Sequence, residues 1–254
     1  MPPISVLIKP SSGMCNMKCD YCFYCDEMKK RMRESYGFMT EQTLKNVIRK
    51  TMFHAEGMIS YAYQGGEPTL RGIAFYEKAM EYQRHYNKCG IRVNNAMQTN
   101  GYLIDDEWCK FFRENHFLIG LSVDGTKQIH DLYRHGRRGE PTFDRIKKAA
   151  ELMDQYGVDY NILTVVTQKT AGHAAEIYNY YKEQGWKYQQ YIACLDPLGE
   201  DRGKTPYALN PEQYGMFLTE LFNLWYEDWK KGEQPYIRPV SYTHLRAHET
   251  LMNL

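Results

Sequence analysis

Phe117-Leu-Ile-Gly-Leu-Ser-Val123 is a near-continuous apolar run, the pattern of a strand buried on both faces. Apolar residues at helical spacing follow over Phe143–Tyr156, with Thr142 near the start, and a β-rich run covers Val158–Val166. Two strands joined by a helix in this way lie parallel, with a right-handed crossover. The same alternation continues toward both ends of the chain. Further strands are expected over Ser5–Lys9, Met58–Tyr63, Ile91–Met97 and Tyr188–Cys194. Helices are expected over Glu41–His54 with Thr40 as cap, Ile73–Asn87, Asp105–Asn115, Ala174–Gln184 and Pro211–Lys231. The last of these spaces Phe217, Leu221, Leu224 and Trp225 along one helical face. Six strand–helix units predict an α/β fold, a partial (β/α)6 TIM-like barrel that stays open instead of closing at eight units.

Composition fits this size of fold. The chain has 254 residues, 43% of them hydrophobic, enough for a sizeable core. A net charge of +1 gives no general attraction to nucleic acid or to an anionic membrane. No apolar run approaches the ~20 residues that a membrane span requires. Met1–Ser5 shows no basic segment followed by an apolar stretch, so a cytoplasmic location is expected. The charged run Lys29–Arg33 reads as a solvated loop.

Seven cysteines are present, four of them between Cys15 and Cys25. Without an export signal, such density points to metal binding and away from disulfides. In Cys15-Asn-Met-Lys-Cys19-Asp-Tyr-Cys22, three thiols lie close together, with an aromatic residue before the third. Thiolates suit iron–sulfur clusters, zinc or copper(I). Structural zinc wants four ligands, usually as two separated pairs. Three cysteines on a cubane leave one iron open to a chelating ligand. Zinc and a simple electron-transfer cluster stay as alternatives. Cys25 continues the run as either a fourth ligand or a thiol just outside the cluster. Cys89, Cys109 and Cys194 are isolated and read as small buried hydrophobes.

Chemistry in parallel α/β barrels collects after the C-terminal ends of the strands. Gln64-Gly-Gly-Glu67-Pro68 follows the second strand, Gln98-Thr-Asn100-Gly101 the third, and Ser122-Val-Asp124-Gly125 the fourth. Paired glycines let a backbone approach a ligand closely. A serine hydroxyl and an arginine fork, here Ser122 and Arg134, suit ribose and carboxylate.

Together with the cysteine loop and Cys22-Phe-Tyr24, these strings resemble the radical S-adenosylmethionine (SAM) superfamily, and within it the anaerobic sulfatase-maturating enzymes. The resemblance runs from Met1 to about Arg238. It implies one 4Fe-4S cluster on Cys15, Cys19 and Cys22, with SAM on its open iron. It implies that Gly65, Gly66 and Glu67 hold the SAM amino group. Ser122, Arg134, the backbone at Tyr21, and Leu195 near the adenine would complete the cofactor site. Tyr24 and Gln64 match positions at a peptide substrate, and Gln98 and Asn100 belong to a segment facing substrate and cofactor. The implied reaction is reductive SAM cleavage, then oxidation of a sulfatase cysteine or serine to formylglycine. The implied partners are a sulfatase polypeptide and a reductant such as flavodoxin or ferredoxin. A maturase of another peptide and an iron–sulfur electron-transfer module remain competing readings.

Residues 1–238 are expected to form the radical SAM domain. Ser241–Leu254 shows no core pattern and reads as a non-native tail. Its His244 and His248 have helical spacing but no third ligand beside them. The family continues past this point into a cysteine-rich SPASM region with two auxiliary clusters. That region and the family's proton acceptor are absent from the sequence, so it reads as C-terminally truncated and no catalytic residue is assigned.

Overall fold

The computed structural model describes residues 3–238 and Val240. The first elements are β1 (Ile4–Ile8), β2 (Met17–Cys19), α1 (Phe23–Lys29), α2 (Glu41–His54), β3 (Met58–Tyr63) and α3 (Ile73–Tyr86). Next come β4 (Arg92–Thr99), α4 (Asp106–Glu114), β5 (Phe117–Ser122), α5 (Lys127–His130), β6 (Arg134–Gly136) and α6 (Phe143–Tyr156). The chain continues through β7 (Asp159–Val166), α7 (Gln168–Ala171), α8 (Ala174–Glu183), β8 (Tyr188–Ala193), α9 (Pro211–Lys231) and β9 (Tyr236–Ile237). The segment Ser241–Leu254, with its histidine pair, lies outside the described residues.

The main sheet runs β1-β3-β4-β5-β7-β8-β9, and every pairing in it is parallel. Its first six strands are those that the alternation predicts, and the arrangement is an open, partial barrel. The seventh, β9, pairs only Tyr188 with Tyr236 and Gln189 with Ile237. Two residues are too few to carry a period, so β9 leaves no mark in the pattern. A separate two-stranded ribbon joins β2 to β6, placing Cys19 opposite Arg134. Its three-residue strands escape periodicity for the same reason.

Alternation along the strands decides which face is covered. Ile59, Tyr61 and Tyr63 of β3, Met97 of β4, and Phe117, Ile119 and Leu121 of β5 are buried beneath the helices. Tyr63 stacks on Phe117 across the intervening strand, with ring centroids 6.0 Å apart. Phe112 of α4 is fully buried beside Phe117, worth about 1.5–3 kcal/mol by area removed from water. The other face carries smaller or polar residues such as Ala62, Ala96, Gly120 and Ser122, and it leaves Leu7, Leu118 and Ile192 exposed.

Helix ends follow local chemistry. Thr40 caps α2 by accepting a hydrogen bond from Thr43 N. Asn210 and Gln213 form a reciprocal capping box at α9, which starts on Pro211 and ends at Gly232 in the left-handed region. Thr142 does not cap α6. Asp131 Oδ1 instead accepts hydrogen bonds from Thr142 N (2.9 Å) and Phe143 N (3.0 Å), a cap supplied from outside the helix. Among the described residues no helix is long and apolar enough to cross a membrane.

Candidate active site

The C-terminal ends of β3, β4, β5, β7 and β8 open onto a cavity of about 310 Å³. Cys15, Cys19 and Cys22 all line it. The loop that carries them is shaped by local bonds. Cys15 Sγ accepts from Met17 N at 3.4 Å, and Cys22 N donates to Cys19 O at 3.2 Å. Cys22 then caps α1. The β2–β6 ribbon anchors Cys19 against Arg134, whose Nη1 lies 4.0 Å from the sulfur. Cys25, one turn into α1, does not line this cavity. It faces a neighbouring one of about 360 Å³ whose wall it shares with Cys22.

Burial pushes the Cys15 thiol up to about 11 and the Cys19 thiol up to about 12. A hydrogen bond from Cys25 draws Cys22 down to about 6 and raises Cys25 in return. Among the described residues no group of three His, Cys, Asp or Glu is drawn together tightly enough for a single metal ion. The three cysteines line one shared space.

Gly65 and Gly66 also line the cavity. Gly66 has φ +51°, and a Cβ there would sit 2.1 Å from the Met14 carbonyl oxygen. Glu67 N donates to that same oxygen at 2.8 Å. The glycines therefore let this turn press against the backbone just before Cys15. Glu67 itself does not reach the cavity. Its carboxylate is fully buried and accepts from Thr69 N (2.9 Å), Thr69 Oγ1 (2.6 Å), Thr99 Oγ1 (2.8 Å) and Asn100 N (2.8 Å). Burial pushes its pKa up, against the pull of those donors.

Gln98, Asn100, Ser122, Arg134 and Leu195 complete the wall predicted from sequence. Asn100 Nδ2 points at Cys15 Sγ (3.5 Å) and donates to Asn16 Oδ1 (2.8 Å). Leu195 stands at the rim, 62% exposed. Tyr24 and Gln64 sit together on the wall, where Gln64 Nε2 donates to the Tyr24 hydroxyl at 2.9 Å. Lys9 Nζ lies 5.0 Å from the Tyr24 ring centre. Tyr21 lines the cavity and places its ring under the Arg134 guanidinium, 5.5 Å away. That guanidinium is in a buried ion pair with Asp124, not a surface one.

Sequence reasoning passed over Asp124 as a site residue, although it quoted the string containing it. It also passed over Val165, Ile192, Ala193 and Cys194, which supply much of the apolar lining. Burial pushes the Cys194 thiol up to about 12. Only Asp124 had a usable signal, a carboxylate two residues past a strand end with an arginine ten residues on.

Comparison with known proteins follows the same lines. The model of the radical SAM superfamily matches residues 10–181. The cysteine-type anaerobic sulfatase-maturating enzyme of Clostridium perfringens is 49% identical over 238 residues, covering 94% of this chain. The serine-type anaerobic sulfatase-maturating enzyme of Bacteroides thetaiotaomicron is 31% identical, covering 89% of this chain and 58% of its own length. A solved structure of native anSMEcpe with bound AdoMet and Cp18Cys peptide superposes with a TM-score of 0.89 at 48% identity, covering 93% of this chain and 63% of that one. The chain spans 64% of the length of the Clostridium perfringens relative.

Proposed function

This chain belongs to the radical SAM superfamily, and from that premise we propose that it is the SAM-cleaving portion of an enzyme that oxidises a sulfatase cysteine or serine to formylglycine. The observation that carries the proposal is the convergence of Cys15, Cys19 and Cys22 with Gly65, Gly66, Ser122 and Arg134 on one cavity. The similarity to cysteine-type sulfatase-maturating enzymes supports the choice of substrate.

Cys15, Cys19 and Cys22 would hold one 4Fe-4S cluster. The donor set fits: three soft sulfurs around a space, with an amide of Asn100 and the charge of Arg134 beside them. When bound, cluster and SAM supply the electron and the 5′-deoxyadenosyl radical that takes hydrogen from the substrate Cβ. The protein's own part is placement. The backbone at Gly65 and Gly66 would receive the SAM amino group, Arg134 the carboxylate, and Ser122 the ribose. Tyr21 would contribute a backbone contact, and Leu195 would cover the adenine. Glu67 acts behind this wall by holding Asn100 and the glycine turn. Tyr24 and Gln64 would meet the peptide, with Gln98 and Asn100 between peptide and cofactor. Val165, Ile192 and Ala193 keep that part of the wall apolar and limit water near a radical.

The substrate is then a sulfatase polypeptide, and electrons would come from a flavodoxin or ferredoxin in the cytoplasm. Residues 1–238 would act as the SAM-handling domain. The test is anaerobic reconstitution with iron and sulfide, followed by dithionite, SAM and a short sulfatase-motif peptide. Production of 5′-deoxyadenosine that rises when the sulfatase-motif peptide is present is expected from this SAM-cleaving portion, with any formylglycine read by mass spectrometry. SAM cleavage that the sulfatase-motif peptide does not affect would move the assignment to a different peptide maturase. An iron-loaded chain that leaves SAM intact would favour electron transfer.

A further inference from the structure

Asp124 is 3% exposed and its carboxylate accepts four hydrogen bonds. Two come from Arg134, through Nε at 2.8 Å and Nη2 at 3.3 Å. A third comes from Val165 N at 2.9 Å, and the fourth from the Tyr21 hydroxyl. These donors belong to segments far apart in sequence: the cysteine loop, β6 and the end of β7. Behind the carboxylate the backbone closes a second ring. Asp124 N donates to His130 Nδ1 at 3.2 Å, and His130 Nε2 lies 3.2 Å from Thr142 Oγ1. Thr142 Oγ1 donates to the Arg134 carbonyl at 3.0 Å. Because that hydroxyl hydrogen is taken, His130 must donate through Nε2 and accept through Nδ1, which sets a neutral tautomer.

The guanidinium is therefore gripped along one edge, while Arg134 still lines the cavity. A buried guanidinium without a counter-charge is strongly unfavourable, and Asp124 supplies that charge. The same carboxylate restrains Tyr21, which stands between Cys19 and Cys22. A shift of the arginine would thus be felt in the cluster loop.

We propose that Asp124 is a positioning residue that locks the Arg134 fork and the Cys19–Cys22 loop into one geometry, so that the SAM carboxylate and the cluster meet in register. The proposal rests on the cofactor assignment made above. It is tested with Asp124→Asn, which keeps the side-chain shape and removes the charge. Iron and sulfide content should match wild type. SAM affinity, read from the SAM-induced change in the electron paramagnetic resonance spectrum of the reduced cluster, should fall about 10- to 100-fold, as for other outer-shell partners. KM for SAM should rise more than kcat falls. Tyr21→Phe removes only the hydroxyl tether and should weaken SAM binding about threefold to tenfold, the worth of one hydrogen bond. An Asp124→Asn protein that loads its cluster and binds SAM like wild type overturns the proposal. Should Asp124→Asn not fold, unchanged SAM affinity in Tyr21→Phe overturns it equally. A wild-type chain with a cluster but no SAM response sinks the cofactor assignment and this role with it. A responsive wild type beside an equally responsive variant sinks the positioning role alone.

Discussion

The backbone N–H of Asn100 donates to Glu67 Oε2 at 2.8 Å, and the same asparagine turns its side-chain amide toward Cys15 Sγ at 3.5 Å. Asn100 therefore links a buried carboxylate to a candidate cluster ligand. Glu67→Ala would leave the buried donors of Thr69, Thr99 and Asn100 without their acceptor. A stability loss of about 3 kcal/mol or more is expected, because unsatisfied buried groups bear their full desolvation cost. Denaturant unfolding measures it, and iron uptake should fall in parallel. A stability change within experimental error would show that the network carries little.

Gly66→Ala and Gly72→Ala separate strain from collision. Both glycines have positive φ, but a Cβ at Gly72 meets nothing within 4 Å, whereas at Gly66 it strikes the Met14 backbone. Gly72→Ala should cost about 1–3 kcal/mol, because φ 73° with ψ 156° is a conformation that essentially only glycine adopts, and leave iron loading intact. Gly66→Ala should displace the turn from the cysteine loop and abolish stable loading. Equal loading of the two proteins would contradict the close approach.

Cysteine replacement divides the four neighbouring thiols. Alanine at Cys15, Cys19 or Cys22 should eliminate the visible absorbance of the reconstituted cluster. Cys25→Ala should retain it, because Cys25 faces the adjoining cavity. Iron and sulfide quantitation after anaerobic reconstitution checks each protein. Loss of the cluster in Cys25→Ala would make that thiol a fourth ligand.

Acid sensitivity is expected from His130. Burial pushes its pKa down to about 3, against about 6.5 in the unfolded chain. Below about pH 6.5 the unfolded chain binds a proton that the folded chain refuses. Stability is therefore lost as pH falls from about 6.5 toward 3, at up to about 1.4 kcal/mol per pH unit. Unfolding midpoints at about pH 7.5 and about pH 5 should show a smaller loss for His130→Asn than for wild type, whatever its stability at neutral pH. Parallel losses would place the acid sensitivity elsewhere.

Much of the frame is visible along the chain. Helices α2 and α9 begin, and α6 ends, where Thr40, the Asn210–Gln213 pair and Gly157 dictate locally. Val158 leaves the predicted strand because its N–H closes the end of α6 onto Met153 O at 2.9 Å. The site was less legible. The cysteine loop, the glycine turn and Arg134 stood out by residue type, but Glu67 was read toward the ligand and the structure turns it inward. Asp124 attracted no role because its partners Tyr21 and Val165 are distant in sequence, and Arg134, ten residues on, was read toward the ligand.

Residue order alone determined the parallel strand–helix alternation, the start of helices such as α2 and α9 and the spacing of the cysteines, because each is set within a few bonds by periodicity, capping or chain length. Tertiary structure alone decided where the carboxylates of Glu67 and Asp124 point, that Cys25 lines the adjoining cavity while staying hydrogen-bonded to Cys22, and that β2 meets β6. Those outcomes depend on hydrogen-bond donors brought from remote segments, and no local pattern records which donors will arrive.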